Sequence, residues 1–269
     1  MYKQISSPQN KEIKYLHQLQ EKSRLRRKEA VFLVEGVRET GLAIKGGFKL
    51  KKIFFCEELF SVEKLKELIS DLNEKPEITV LSSEVYEKLA YRGSTEGVLA
   101  LFESKELNLN SLKFKSEAPL LLIAEAPEKP GNIGALLRTA DAAGLDGVII
   151  ANPKTDLFNP NIIRSSVGCV FTTPIATGST EEIIEFLKRK KIKIYCAALQ
   201  ASKQYTKVDY TGASAIVVGT EATGLEDSWL ENSEENIIIP MGGEIDSMNV
   251  SVAAGILIFE AKRQRALQH

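Results

Sequence analysis

The sequence predicts an α/β protein in two parts, the second built on a parallel sheet, and three observations carry that reading. Apolar, strand-like runs alternate with segments of helical periodicity along most of the chain. A stretch rich in Ser, Asn and Lys, from Glu103 to Glu117, is followed by Pro119 and separates two such alternations. In the second alternation the strands are continuous apolar runs, the pattern of strands covered on both faces. The division is an N-terminal domain over residues 1–104, a linker over 105–118 and a C-terminal domain over 119–269. With 269 residues, 43% of them hydrophobic and 26% charged, the chain can bury two cores of that size.

The first half opens with a helix expected over 9–29, then a strand over Val31 to Val34 and a helix from Glu35 to Lys45. A strand from Lys52 to Cys56, a helix from Val62 to Leu72, a strand from Ile78 to Leu81, a helix near Glu84 to Tyr91 and a strand from Val98 to Phe102 complete it. In the second half Leu120 to Ala124 reads as a strand, with a helix beginning at Ile133 and a strand from Gly147 to Ala151. Further strands are expected near Ile192 to Ala197, Ala215 to Gly219 and Asn236 to Ile239, with helices at Glu181 to Lys190 and Val250 to Arg265.

Composition excludes several chemistries. The longest apolar run, Val250 to Phe259, is far short of the ~20 residues that span a bilayer, and no basic start leads into an apolar signal segment, so a cytoplasmic location is expected. Cys56, Cys169 and Cys196 are odd in number and widely spaced in apolar contexts, which reads as buried free thiols rather than disulfides or a zinc site. The two histidines, His17 and His269, leave no group for a hydrolytic triad or a His-based metal centre, and no metal is expected.

The net charge of -1 conceals an asymmetry. Residues 1–52 carry 13 Lys and Arg against 5 Glu, and the remainder 22 against 31 acidic residues. Lys22, Arg24, Arg26, Arg27 and Lys28 form a compact cationic run, the footprint that attracts a phosphate backbone. A solvated helix face would look the same in isolation; the segregation of charge between the halves favours nucleic acid.

Three polar loops follow strands of the second half, and open parallel sheets bind ligands at that edge. In EAPEKPGNIGALLRTADAAG (Glu125 to Gly144), Pro130 and Gly131 force a turn and Asn132 is placed as the helix N-cap, which alone would account for it. Ile133, Leu136, Leu137, Ala140 and Gly144 form one stripe, leaving Arg138 among the small residues Gly134, Ala135 and Ala142, where a phosphate or ribose can approach. GTEATGL (Gly219 to Leu225) lacks the Lys and spacing of a phosphate-binding Walker loop. IPMGGEIDSMNVSVAAG (Ile239 to Gly255) sets Ser247 and Asn249 ahead of a helix apolar on every side, which must be buried all round, within its domain or against a second subunit.

Together these loops resemble the three signature motifs of the SpoU (TrmH-like) branch of the SPOUT RNA 2′-O-ribose methyltransferases, in the family's order and over essentially residues 118–265. FLVEGVRE and STEGVLALF are similar to the substrate-binding domain that precedes the catalytic domain in many members. The resemblance implies a ribosomal-protein-like α/β domain, then a catalytic domain with a trefoil knot, and a homodimer. It further implies transfer of a methyl group from S-adenosyl-L-methionine to a ribose 2′-hydroxyl of RNA. Large-subunit rRNA is the favoured substrate, with tRNA, or a catalytically silent RNA-binding protein of the same fold, as alternatives. By motif position Asn132, Arg138, Glu221, Ser247 and Asn249 fall on the family's catalytic residues. Cofactor contacts fall around Ala198, Leu199, Gly219, Ile239, Met241 and Met248, and the cationic run would bind RNA. The chain departs from the family's pattern in the approach EAPEKPGN and in Met248, where Leu is common; Leu to Met is nearly volume-conserving. The family assigns the motif-one arginine as proton acceptor, but a guanidinium is a poor base at neutral pH. A clamp on the RNA phosphate that also stabilises the developing alkoxide is the reading adopted here for Arg138.

Overall fold

The structure is a computed structural model that describes residues 2–91, 96–114, 116–199, 203–220, 224–244 and 247–267. Its contacts divide the chain into two compact units, Met1–Lys105 with Asp156–Thr172, and Glu106–Thr155 with Thr173–His269.

In the first unit the elements are β1 (Lys3–Ile5), α1 (Lys11–Glu21), α2 (Ser23–Glu29), β2 (Val31–Glu35), α3 (Val37–Lys45), β3 (Leu50–Phe55), α4 (Val62–Leu68), β4 (Glu77–Leu81), α5 (Ser83–Leu89) and β5 (Val98–Glu103). The helix expected over 9–29 is two helices, broken where Lys22 takes an extended conformation. Asn10 starts the first by accepting from the Glu12 N–H at 2.8 Å. The strands form a mixed sheet in the order β1-β4-β3-β5-β2, with β5 antiparallel to both β2 and β3. One face buries Leu16, Leu19, Leu33, Phe54, Tyr86 and Leu99.

Residues 156–172, which lie in sequence between two strands of the second unit, complete the other part of this core. They contain α7 (Pro160–Ser165), numbered in chain order after α6 (Pro130–Ala143), and bring in Phe158 and Phe171. The Phe32 ring stacks on Phe158 with centroids 4.4 Å apart and on Phe171 at 5.6 Å, and Phe48 meets both edge-on. Gly46 is required for this approach, because a Cβ there would lie 2.1 Å from the Phe171 carbonyl oxygen. The sequence reading kept this segment within 119–269.

The second unit contains β6 (Leu120–Glu125), α6, β7 (Gly147–Ala151), β8 (Ile175–Gly178), α8 (Thr180–Arg189), β9 (Lys193–Ala197), β10 (Lys203–Gln204), β11 (Ser214–Val218), α9 (Asp227–Glu231), β12 (Glu235–Ile238) and α10 (Val250–Ala266). All seven strands are parallel, in the order β10-β12-β9-β11-β6-β7-β8. Every residue of β6, β7 and β11 is buried, as the continuous apolar runs predict for strands covered on both faces. The stretch expected as a linker packs on this sheet: the Leu107 carbonyl accepts from the N–H and hydroxyl of Thr177 at 2.6 and 3.0 Å. Burial pushes the Cys196 thiol up to about 12, and Cys56 is also buried, whereas Cys169 is only half-buried.

Candidate active site

Because the strands are parallel, β12, β9, β11 and β6, neighbours in that order, all end at one edge, and the loops of the three motifs leave from there. Ala198 and Leu199 follow β9, Gly219 follows β11, and Ile239 and Met241 follow β12. The Ala198 N–H donates to the Ile237 carbonyl at 3.1 Å, which ties two of these strand ends together.

Gly219 cannot be replaced without moving backbone. A Cβ there would lie 2.4–2.8 Å from backbone atoms of Gly224 and Leu225, since the loop folds back through paired hydrogen bonds between Thr220 and Gly224. Gly224 has φ +71°, which glycine adopts freely. Glu221, within that loop, lies outside the described residues.

The first and third motifs meet at the helix starts. Asn132 is not an N-cap: α6 begins earlier, with Lys129 as cap and Pro130 in the first turn, where its missing N–H costs nothing. The Asn132 side chain instead accepts from the Asn249 side-chain amide at 3.2 Å. Asn249 does cap α10, accepting from the N–H and hydroxyl of Ser251 at 2.9 and 2.6 Å. The two helices run side by side in the same direction, with Gly255 facing Thr139 nearly two turns further on. Arg138, next to Thr139, is exposed and has no carboxylate partner among the described residues. Ser247 is also exposed, and Met248 is half-buried.

Apolar surface of the kind that an adenine base needs is exposed at these strand ends. Leu199 and Met241, 54% and 36% exposed, supply it, while the space over the Gly219 Cα is filled by the chain's own backbone at Gly224 and Leu225. Among the described residues no group of His, Cys, Asp and Glu could hold a metal ion, and no helix is long and apolar enough to cross a membrane.

Two structural anchors escaped the sequence reading. Glu125, at the end of β6 and only 3% exposed, accepts from the Trp229 indole at 2.7 Å, from Asn152 at 2.9 Å and from Thr180 at 3.1 Å. This fixes the origin of the first loop to α9, just beyond the second. Arg265 fixes the far end of α10 by donating to the carbonyls of Ala118, Gly212 and Tyr210 at 2.6, 2.6 and 2.9 Å, and burial lowers its pKa. A lone tryptophan was the only signal for the first; nothing local marked the second.

The basic run divides. Lys22, Arg24, Arg27 and Lys28 are exposed, but Arg26 is 3% exposed and cannot meet a phosphate backbone. Its guanidinium is held by Asp156 at 2.5 Å and by the Leu19 and Gln20 carbonyls at 2.5 and 3.0 Å.

Comparison with known proteins agrees with this geometry. The profile of the SpoU rRNA Methylase family matches residues 119–259, and that of the MRM3-like substrate binding domain matches residues 10–100. The chain belongs to the SpoU rRNA methylase family. It is 30% identical to the 23S rRNA (guanosine(2553)-2′-O)-methyltransferase RlmP of Bacillus subtilis, over 97% of this chain and 99% of that protein. A solved RNA 2′-O ribose methyltransferase superposes with a TM-score of 0.83 at 35% identity, covering 98% of this chain and 99% of the other. An AdoMet-bound rRNA methyltransferase from Sinorhizobium meliloti superposes with a TM-score of 0.89 at 26% identity, covering 97% and 98%. For this SpoU chain, the α/β fold with a parallel catalytic sheet and the S-adenosylmethionine cofactor stand as the motifs implied.

Proposed function

We propose that this SpoU methylase transfers a methyl group from S-adenosylmethionine to a ribose 2′-hydroxyl of large-subunit rRNA in the cytoplasm. The observation that carries the reading is the Asn132–Asn249 hydrogen bond, which joins two motifs 117 residues apart at the edge where the cofactor-side strands end. S-adenosylmethionine supplies an electrophilic methyl on a sulfonium, and displacement there demands alignment above all. Ala198, Leu199, Gly219, Ile239, Met241 and Met248 hold it. Arg138 clamps the RNA phosphate and stabilises the alkoxide as the hydroxyl loses its proton through water or a transiently neutral arginine. Asn132, Ser247 and Asn249 orient the ribose and the loop, and Glu221 steadies the second loop. The peptide path through these loops is read as a trefoil knot. Lys22, Arg24, Arg27 and Lys28 contact phosphates.

The homodimer is part of this proposal. The sequence demanded that α10 be buried on every side, yet in one chain Val252 and Phe259 are 54% and 53% exposed, with Gly255 and Ile256 half-buried between them. That spacing is one apolar face, beside α6 and Arg138, and a second copy covers it. Phe259→Glu is expected to convert a dimer to monomers in analytical ultracentrifugation; a monomeric parent protein would sink the assignment.

The substrate is tested by mapping 2′-O-methylation in total RNA from cells with and without the gene. One large-subunit rRNA site should lose its mark. Loss in tRNA instead redirects the substrate, and S-adenosylmethionine binding without any lost mark leaves a silent RNA-binding protein.

A further inference from the structure

We infer that the Arg164–Tyr91 pair of the first unit is a stacking platform for an unpaired nucleobase of the RNA. The Arg164 guanidinium lies over the Tyr91 ring, 4.0 Å from its centroid. Arg164 is exposed, Tyr91 is 36% exposed, and among the described residues no carboxylate pairs with Arg164. A planar cation with one face on an aromatic ring presents its other face as a flat, weakly hydrated surface, on which a base of any identity can stack.

The pair is built into the same framework as the basic helix. Gln20, at the end of α1, donates to the Leu89 carbonyl at 2.7 Å, two residues before Tyr91. Arg26 of α2 holds both Asp156, four residues ahead of α7, and the Gln20 carbonyl. The Tyr91 N–H donates to Glu35 at 2.9 Å, which fixes the ring's backbone. Lys22, Arg24 and Arg27, at and within α2, are exposed, so phosphate contacts are available on an element tied to the same framework. A fastener between α5 and α7 would explain contact between the two side chains. It would not call for a guanidinium that is exposed and, among the described residues, without an acidic partner.

This inference rests on RNA being the substrate, and the test separates the two claims. Binding of a fluorescein-labelled 12-nucleotide single-stranded oligoadenylate is measured by anisotropy over a range of salt concentrations, with a duplex of equal length as control. Base stacking is sequence-tolerant and contributes roughly 5–150-fold per base. Tyr91→Leu and Arg164→Lys should therefore weaken oligoadenylate binding by that factor, with the slope of log Kd against log salt unchanged, and leave the duplex unaffected; Tyr91→Phe should restore it. Lys22→Ala with Arg24→Ala should instead flatten the slope, by about 0.7 per charge on a single strand. Wild-type affinity in both Tyr91→Leu and Arg164→Lys, or a wild-type preference for the duplex, overturns the platform. Should either variant melt below the parent, quenching of a single 2-aminopurine within oligouridylate on binding to the parent protein decides, and absence of quenching overturns it. Pair-dependent binding without methyl incorporation into rRNA would refute the proposed activity and leave the platform standing.

Discussion

Replacement of Arg138 by alanine should reduce methyl transfer by about 10³-fold while S-adenosylmethionine affinity stays near the parent value. The size follows from removing a preorganised donor aimed at developing negative charge, which costs roughly 10²–10³-fold per donor, together with a lost phosphate clamp. The selectivity follows from position: Arg138 projects from the exposed side of α6, whereas the residues assigned to the cofactor, Met248 apart, stand at the ends of β9, β11 and β12. Arg138→Lys keeps the charge but loses the planar fork, so it should recover only part of the rate. Single-turnover methylation and calorimetric cofactor binding check this. Parallel loss of both would remove Arg138 from a role confined to RNA and chemistry.

Asp156→Ala should destabilise the first unit by about 3–5 kcal/mol, because it strands a guanidinium that is 3% exposed without its carboxylate. Asp156 itself is 7% exposed on its side chain and also accepts from the Phe158 N–H at 2.9 Å, so both the charge and the turn before α7 are lost. Removing the two charges together, as Arg26→Met with Asp156→Leu, should cost less than the single change, since no buried charge is left unpaired. Denaturant unfolding followed by near-ultraviolet circular dichroism of the phenylalanine cluster reports on this unit. A cost below about 1 kcal/mol for Asp156→Ala would mean that water solvates Arg26 in the variant.

The catalytic sheet was legible because its strands are buried on both faces and are written as uninterrupted apolar runs. The motifs were legible because each loop follows one. What escaped depended on partners distant in sequence. Arg26 looks like its neighbours Arg24 and Arg27 until Asp156, 130 residues away, turns it inward. The start of α6 was misplaced by favouring Asn132 as a cap over Pro130, although proline in the first turn is itself a start signal. α7 is six residues long and β10 two, too short for either periodicity to register. The exposed face of α10 was hidden by a composition that looks the same whichever side is covered.

The aromatic cluster around Phe32 also dictates an order of events during synthesis. Two of its rings, Phe158 and Phe171, are translated only after β6, α6 and β7 of the other unit. The face of the amino-terminal sheet that carries Phe32 therefore lacks those rings until residues 156–172 have been made. A chain ending at residue 105 should keep the other face of that sheet packed and leave Phe32 and Phe48 without two of their ring partners.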